Sequence, residues 1–191
     1  MKPSEKMLKM SEKMMAAVLC GDRDLQYKET DKLEPGAGEV LVRVRASGIC
    51  GSDIPRVLHG GAHFFPIILG HEFSGEIAAL GEGVEGFEIG DRVSGAPLKP
   101  CGKCRDCQKG NYSLCKHYSF IGSRENGSFA QYVSIPAQNA IKFDKSVSFE
   151  QGAMFEPSTV ALHGVLLNEC AGGEYVAVCG GGTIGLFTAQ W

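Results

Sequence analysis

Four cysteines fall within CGKCRDCQKGNYSLC, from Cys101 to Cys115, spaced C-x2-C-x2-C-x7-C. No other stretch restricts the fold as tightly, because four thiols on so short a run have few uses. A C-x2-C turn sets two thiolates on one side of a tight bend, at a separation suited to tetrahedral zinc with Zn–S bonds of about 2.3 Å. Four thiolates (Cys101, Cys104, Cys107, Cys115) close such a site and leave no position for substrate. A zinc held there is structural, and the chemistry lies elsewhere. Lys99, Lys103, Arg105, Lys109 and Lys116 face only Asp106 in this segment, an excess that offsets the negative charge of four thiolates around a divalent ion. An iron–sulfur cluster is a competing reading, but bacterial runs continue x3-C-P, whereas here the fourth cysteine comes seven residues later without proline. Disulfide pairing is a third reading. A nucleic-acid-binding zinc ribbon is disfavoured by a net charge of -3 and by the lack of a basic and aromatic surface pattern.

The rest of the composition is that of a soluble globular chain. Its 191 residues are 43% hydrophobic and 21% charged, enough for one good core and part of a second. The charge gives no reason to expect nucleic acid or an anionic membrane as partner, and no apolar run approaches the roughly 20 residues of a membrane span. The opening MKPSEKMLKMSEKMM has no secretory apolar stretch, and with Glu5, Glu12 and no arginine it does not read as a mitochondrial presequence. Residues 1–13 read as a flexible extension, with a short amphipathic helix as the alternative, and the domain as starting near Met14 or Met15. Eight cysteines without a signal peptide point to a reducing cytoplasm, where thiols bind metal more often than they pair.

Organisation follows the glycines. EVLVRVRAS alternates Val40, Val42, Val44 and Ala46 with Leu41, Arg43, Arg45 and Ser47, the period of a half-buried strand. EFSGEIAALG, DRVSG and FAQYVSI read as further strands of a small curled or barrel-like sheet. After Ser146 the apolar spacing lengthens, with helices expected before and after Pro157. EYVAVCGGGTIGLFTAQW then reads as a buried strand, a glycine turn and the opening of a helix.

A second set of ligand-type residues is dispersed. CGSD supplies Cys50, GHE supplies His71 and Glu72, and FEPS supplies Glu156. Spacing alone does not bring them together, and a lone buried cysteine or histidine is more often packing than ligand. The string GHEFSGEIAALGEGV, however, matches G-H-E-x2-G-x5-G-x2-V, with CGSD upstream and the cysteine lobe downstream. In these motifs the chain resembles the zinc-dependent medium-chain alcohol and polyol dehydrogenases over about residues 14 to 191.

That resemblance implies a mainly β fold with short helices. A GroES-like catalytic domain would span 14–155, with its zinc lobe at 97–117. A junction helix and the truncated start of a Rossmann α/β domain would occupy 156–191. It implies a catalytic zinc on Cys50, His71 and Glu156, with Glu72 a nearby carboxylate able to approach the metal. Asp53 would orient the histidine, and Ser52 would pass the substrate proton outward. An open position at a three-ligand zinc is what Lewis-acid catalysis requires. Gly180, Gly182 and Gly185 would cradle the pyrophosphate of NAD, or of NADP, with Thr159 near the nicotinamide. The acidic residue that normally holds the ribose would lie beyond Trp191, so the chain reads as the front half of an enzyme.

The strings CGSDIPRVLHGGAHFFPIILGHEFSG and FIGSRENGSFAQY are most similar to the branch of this family that oxidises galactitol 1-phosphate to tagatose 6-phosphate. The sorbitol and threonine branches fit them less well. Arg56 and Arg124 lie in those strings and are candidates for a substrate phosphate, against the plainer reading of solvated surface arginines. The resemblance implies a small polyol phosphate as partner, no nucleic acid or membrane, and a homo-oligomer in the full-length form. A zinc-binding fragment without turnover is the non-enzyme alternative. Cys20, Cys170 and Cys179 read as core thiols, His59, His63 and His117 as surface residues, and His163 as packed near the domain junction.

Overall fold

A computed structural model describes residues 12–169 and 171–191. Strand β1 (Lys13–Gly21) pairs antiparallel with β2 (Asp24–Asp31) and with the short β4 (Ile67–Ile68). The larger sheet has β3 (Glu39–Gly48) between β9 (Tyr132–Pro136) and β5 (Glu72–Leu80), extended by β6 (Arg92–Gly95) and β10 (Ala140–Lys142). β7 (Leu98–Lys99) and β8 (Ser119–Phe120) form a two-stranded ribbon flanking the cysteine lobe. Every pairing between named strands is antiparallel. A bridge between Ala16 and Ala130 links β1 to the approach to β9.

The alternation seen in the sequence sets the faces. Val40 and Val42 of β3 point into a core completed by Phe73 and Ile77 of β5, Val93, Val133, Ile135 and Ile121. Each such side chain contributes about 1.5–3 kcal/mol on burial. The register of β3 against β5 shifts at Leu41/Val42 and again at Val44/Ala46, and such bulges bend a strand and deepen its twist. Met14, Ala16, Val18 and Ile68 form a second cluster. Lys13, expected in the extension, already opens β1 opposite Asp31. Residues 1–11 of that expectation, and Cys170, lie outside the described residues.

Five helices are short or peripheral: α1 (Asp53–Leu58), α2 (Arg105–Gln108), α3 (Phe149–Ala153), α4 (Phe155–Leu167) and α5 (Thr183–Thr188). α3 starts at a capping box, in which Ser148 accepts from the Gln151 N–H and Gln151 accepts from the Ser148 N–H. Pro157, expected between two helices, lies inside the first turn of α4, where a missing N–H leaves no intrahelical bond unmade.

Three expectations are corrected here. EYVAV forms no strand, and Tyr175 and Val176 are exposed; among the described residues no strand pairs with this segment, so it has no ladder to join. Cys179 in the same segment is exposed rather than a core thiol, whereas Cys20, half-buried, packs against the Met14–Ile68 cluster as expected. His163 is exposed on α4 rather than packed at a junction. His59, His63 and His117 are exposed, as expected.

Candidate active site

The β3–β5 pairing builds the site. Gly48, the last residue of β3, stands opposite Glu72, the first residue of β5. Cys50 lies two residues past the end of one strand and His71 one residue before the start of the other, so the register brings two distant motifs together. One ligand atom each from Cys50, His71 and Glu72 lies within 4.8 Å of the others. A Cβ on Gly48 would overlap the Glu72 carboxylate, so only glycine leaves that side chain its place. His71 and Glu72 are buried and Cys50 is half-buried.

Behind this group sits Asp53, only 2% exposed. One carboxylate oxygen accepts the Cys50 N–H at 3.0 Å, and the other faces His71 Nδ1 at 3.8 Å. That nitrogen is buried and has no hydrogen bond. Burial pushes the Asp53 carboxyl up from its ordinary value, opposed by His71, the Cys50 N–H and Arg56. Burial holds His71 below its usual value, opposed by Asp53 and Glu72. A neutral histidine, a thiol and a carboxylate, with a second carboxylate behind the ring, form a donor set suited to zinc. The unpartnered Nδ1 fits this assignment, because coordination through the other nitrogen would fix the tautomer with its proton toward Asp53.

Ser52 donates to Cys50 Sγ at 3.3 Å and accepts from Arg56 Nη1 at 2.7 Å. Arg56 also donates to Ser123 Oγ at 3.3 Å, and its side chain is only 18% exposed. It is therefore not the solvated surface arginine of the plainer reading. Arg124 fits that reading better: it is exposed, lies 4.6 Å over the Tyr118 ring and donates to the Tyr118 hydroxyl. Glu156 does not belong to the Cys50 group. It lies close enough to Glu72 for that carboxylate, after burial, to help push its own carboxyl up to about 7. Thr159 is exposed, with its hydroxyl turned back onto the Glu156 carbonyl at 2.8 Å.

The four lobe cysteines also converge within 4.8 Å. Sulfur–sulfur distances of 3.5 Å (Cys104–Cys107), 3.9 Å (Cys101–Cys107) and 3.9 Å (Cys104–Cys115) are far beyond a bond. They match the separation of about 3.8 Å at the corners of a tetrahedron with Zn–S of about 2.3 Å. All four are free thiols, so the disulfide reading fails here. The backbone N–H groups of Lys103 and Cys104 lower the Cys101 thiol to about 6, while burial raises Cys107 to about 12. A bound cation would deprotonate the buried thiol.

Gly180, Gly182 and Gly185 precede or open α5 and are far from the Cys50 group in the chain. Gly180 has φ +112, and its carbonyl would collide with any Cβ on Gly185, so the turn closes tightly enough only with glycine there. Open space around Gly180 and Gly182 leaves the backbone accessible, as a pyrophosphate cradle requires. Sequence reasoning missed two residues. Ser123, the second anchor of Arg56, and Phe120, whose ring meets His71 edge-on at 5.5 Å, both lie in FIGSRENGSFAQY, where only Arg124 drew a role.

Residues 36–145 match the alcohol dehydrogenase GroES-like domain, more than half of the chain. The chain belongs to that family. Among curated relatives of this GroES-like chain, galactitol 1-phosphate 5-dehydrogenase of Escherichia coli (strain K12) is 47% identical over 80% of the chain and 44% of the relative. L-threonine 3-dehydrogenase of Idiomarina loihiensis is 37% identical over 84% and 48%. Sorbitol dehydrogenase of Halalkalibacterium halodurans is 40% identical over 89% and 50%. The crystal structure of galactitol-1-phosphate dehydrogenase from Escherichia coli superposes with a TM-score of 0.88 at 43% identity, covering 93% of this chain and 51% of that one. A zinc-binding dehydrogenase of Sinorhizobium meliloti 1021 bound to NADP gives 0.90 at 38%, covering 94% and 52%. The chain thus spans about half the length of the curated relatives it matches. Among the described residues no helix is long and apolar enough to cross a membrane.

Proposed function

We propose that this GroES-like chain carries the catalytic metal centre of a zinc-dependent, NAD-linked dehydrogenase. Its reaction is oxidation of a secondary alcohol on a sugar-alcohol phosphate, galactitol 1-phosphate giving tagatose 6-phosphate. NADP is the alternative acceptor. The observation that carries this reading is the convergence of Cys50, His71 and Glu72 at one end of the β3–β5 pair, backed by buried Asp53. Cys50 and His71 hold the catalytic zinc together with a carboxylate. Glu72 stands in the group, and Glu156, which the family resemblance assigns, lies beside it. Cys101, Cys104, Cys107 and Cys115 hold a second, structural zinc.

A zinc ion in the first site supplies Lewis acidity to an alcohol oxygen. Asp53 holds the His71 ring, and the Ser52 hydroxyl, beside Cys50, takes the alcohol proton outward. A nicotinamide would supply the hydride acceptor when bound; Gly180, Gly182 and Gly185 would cradle its pyrophosphate, and Thr159 is the residue the family resemblance assigns to the nicotinamide side. The working compartment is the cytoplasm, the partner a small polyol phosphate, and the assembly a homo-oligomer.

The test is NAD-dependent oxidation of galactitol 1-phosphate measured beside galactitol, sorbitol and threonine. A clear preference for the phosphate ester is expected. Equal rates with galactitol would remove the phosphate from the reading, and preference for sorbitol or threonine would support the alternative that relatives at 40% and 37% identity favour. Zinc uptake without nicotinamide binding or turnover would support a purely metal-binding role, which the unpaired segment before α5 favours.

A further inference from the structure

Arg56 presents an arrangement that a surface or substrate-binding arginine would not need. Its guanidinium is largely covered and donates to Ser52 Oγ at 2.7 Å and Ser123 Oγ at 3.3 Å, with Asp53 Oδ1 at 3.5 Å. Because the Ser52 oxygen accepts from a permanently charged donor, its single proton is directed the other way, toward Cys50 Sγ at 3.3 Å. Asp53 touches both halves of the metal group, accepting the Cys50 N–H and facing His71. A buried carboxylate keeps its charge only with compensation, and Arg56 is the cation that contacts it. Ser123 is itself buried and donates its N–H to the Phe120 carbonyl; the Phe120 ring packs on His71. One side chain therefore ties the start of α1 to the segment that covers the histidine.

We infer that Arg56 is a positioning residue: its guanidinium fixes the Ser52 hydroxyl and the Asp53 carboxylate behind Cys50 and His71, and so sets how tightly that site holds its metal. This rests on the proposed zinc centre. Lysine cannot substitute fully, because one ammonium cannot span Ser52 and Ser123 as a planar fork does.

The test is graded chelator competition on the purified 191-residue chain loaded with zinc, for the wild type, Arg56→Met, Arg56→Lys and Ser123→Ala. The cysteine lobe serves as internal control. Arg56→Met should weaken the Cys50–His71 site about 10–100-fold while the lobe zinc keeps its wild-type affinity, Arg56→Lys should recover part of the loss, and Ser123→Ala should weaken the site by a smaller factor. A general loss of structure would release both zincs together. Wild-type affinity in Arg56→Met overturns the inference. If that variant does not fold, wild-type affinity in both Arg56→Lys and Ser123→Ala overturns it. A wild-type chain that holds only the lobe zinc overturns the metal-centre reading, and this inference with it, a result visible before any variant is made.

Discussion

Glu156 is a carboxyl whose charge the fold resists. Burial first, and the Glu72 carboxylate second, raise its carboxyl from 4.5 to about 7. A carboxyl raised in the folded state favours the protonated form, so the stability it confers is present at low pH and is lost as pH climbs from 4.5 through about 7. In metal-free protein, Glu156→Gln should therefore gain on the wild type between pH 5 and pH 8, by about 1–2 kcal/mol once partial exposure is discounted. Denaturant midpoints of both proteins at the two pH values check this; a constant difference would contradict it. Cys50, His71 and Glu72 could be singled out from the sequence because each sits in a short string, CGSD or GHE, although the family resemblance put Glu156 rather than Glu72 in the ligand set. Arg56 drew attention as a phosphate candidate, but its contact with Ser123, 67 positions away, is one that no local pattern announces.

At the scale of elements, one strand pairing decides the site, and the place of the Glu72 carboxylate within it depends on what Gly48 lacks. Gly48→Ala would force its new methyl group against Glu72. The expected cost is about 1–3 kcal/mol of stability, with weaker zinc retention at Cys50 and unchanged retention in the lobe. Thermal melting and metal competition on the same sample measure both. The capping box of α3 gives an independent check: Ser148→Ala should cost about 1 kcal/mol by denaturant unfolding and leave both metal sites intact. β3 was readable because a half-buried strand shows its period of two. EYVAV had the composition of a strand, yet strand identity also needs a neighbour to supply the ladder, and composition does not reveal whether one is present. Pro157 misled for a different reason: proline punctuates a helix in its interior but is accepted in its first turn.

At the scale of the molecule, the β core and the stretch from α4 onward differ in character. The β core closes around Val40, Phe73 and Val133, all fully buried. The stretch from α4 to Trp191 instead leaves Leu166, Leu167, Val176, Leu186 and Trp191 more than half exposed, and Val176 and Trp191 also line an open cavity of about 740 Å³. Apolar surface exposed to this extent favours association. The 191-residue chain should bind an apolar fluorescent dye and self-associate with concentration, and Leu166→Glu with Leu167→Glu should reduce both without changing its zinc content. A dye-silent monomer at high concentration would contradict that picture.

In the proposed function one chain builds two metal sites of different kinds, one closed by four thiolates and one assembled by the β3–β5 register. Zinc per chain, measured by elemental analysis of purified protein after loosely held metal is removed, decides between two sites and one. Two zincs are expected in the wild type, falling to one in Cys50→Ser. A single zinc in the wild type, unchanged by Cys50→Ser, would mean that Cys50, His71 and Glu72 meet without binding metal, and would contradict the account.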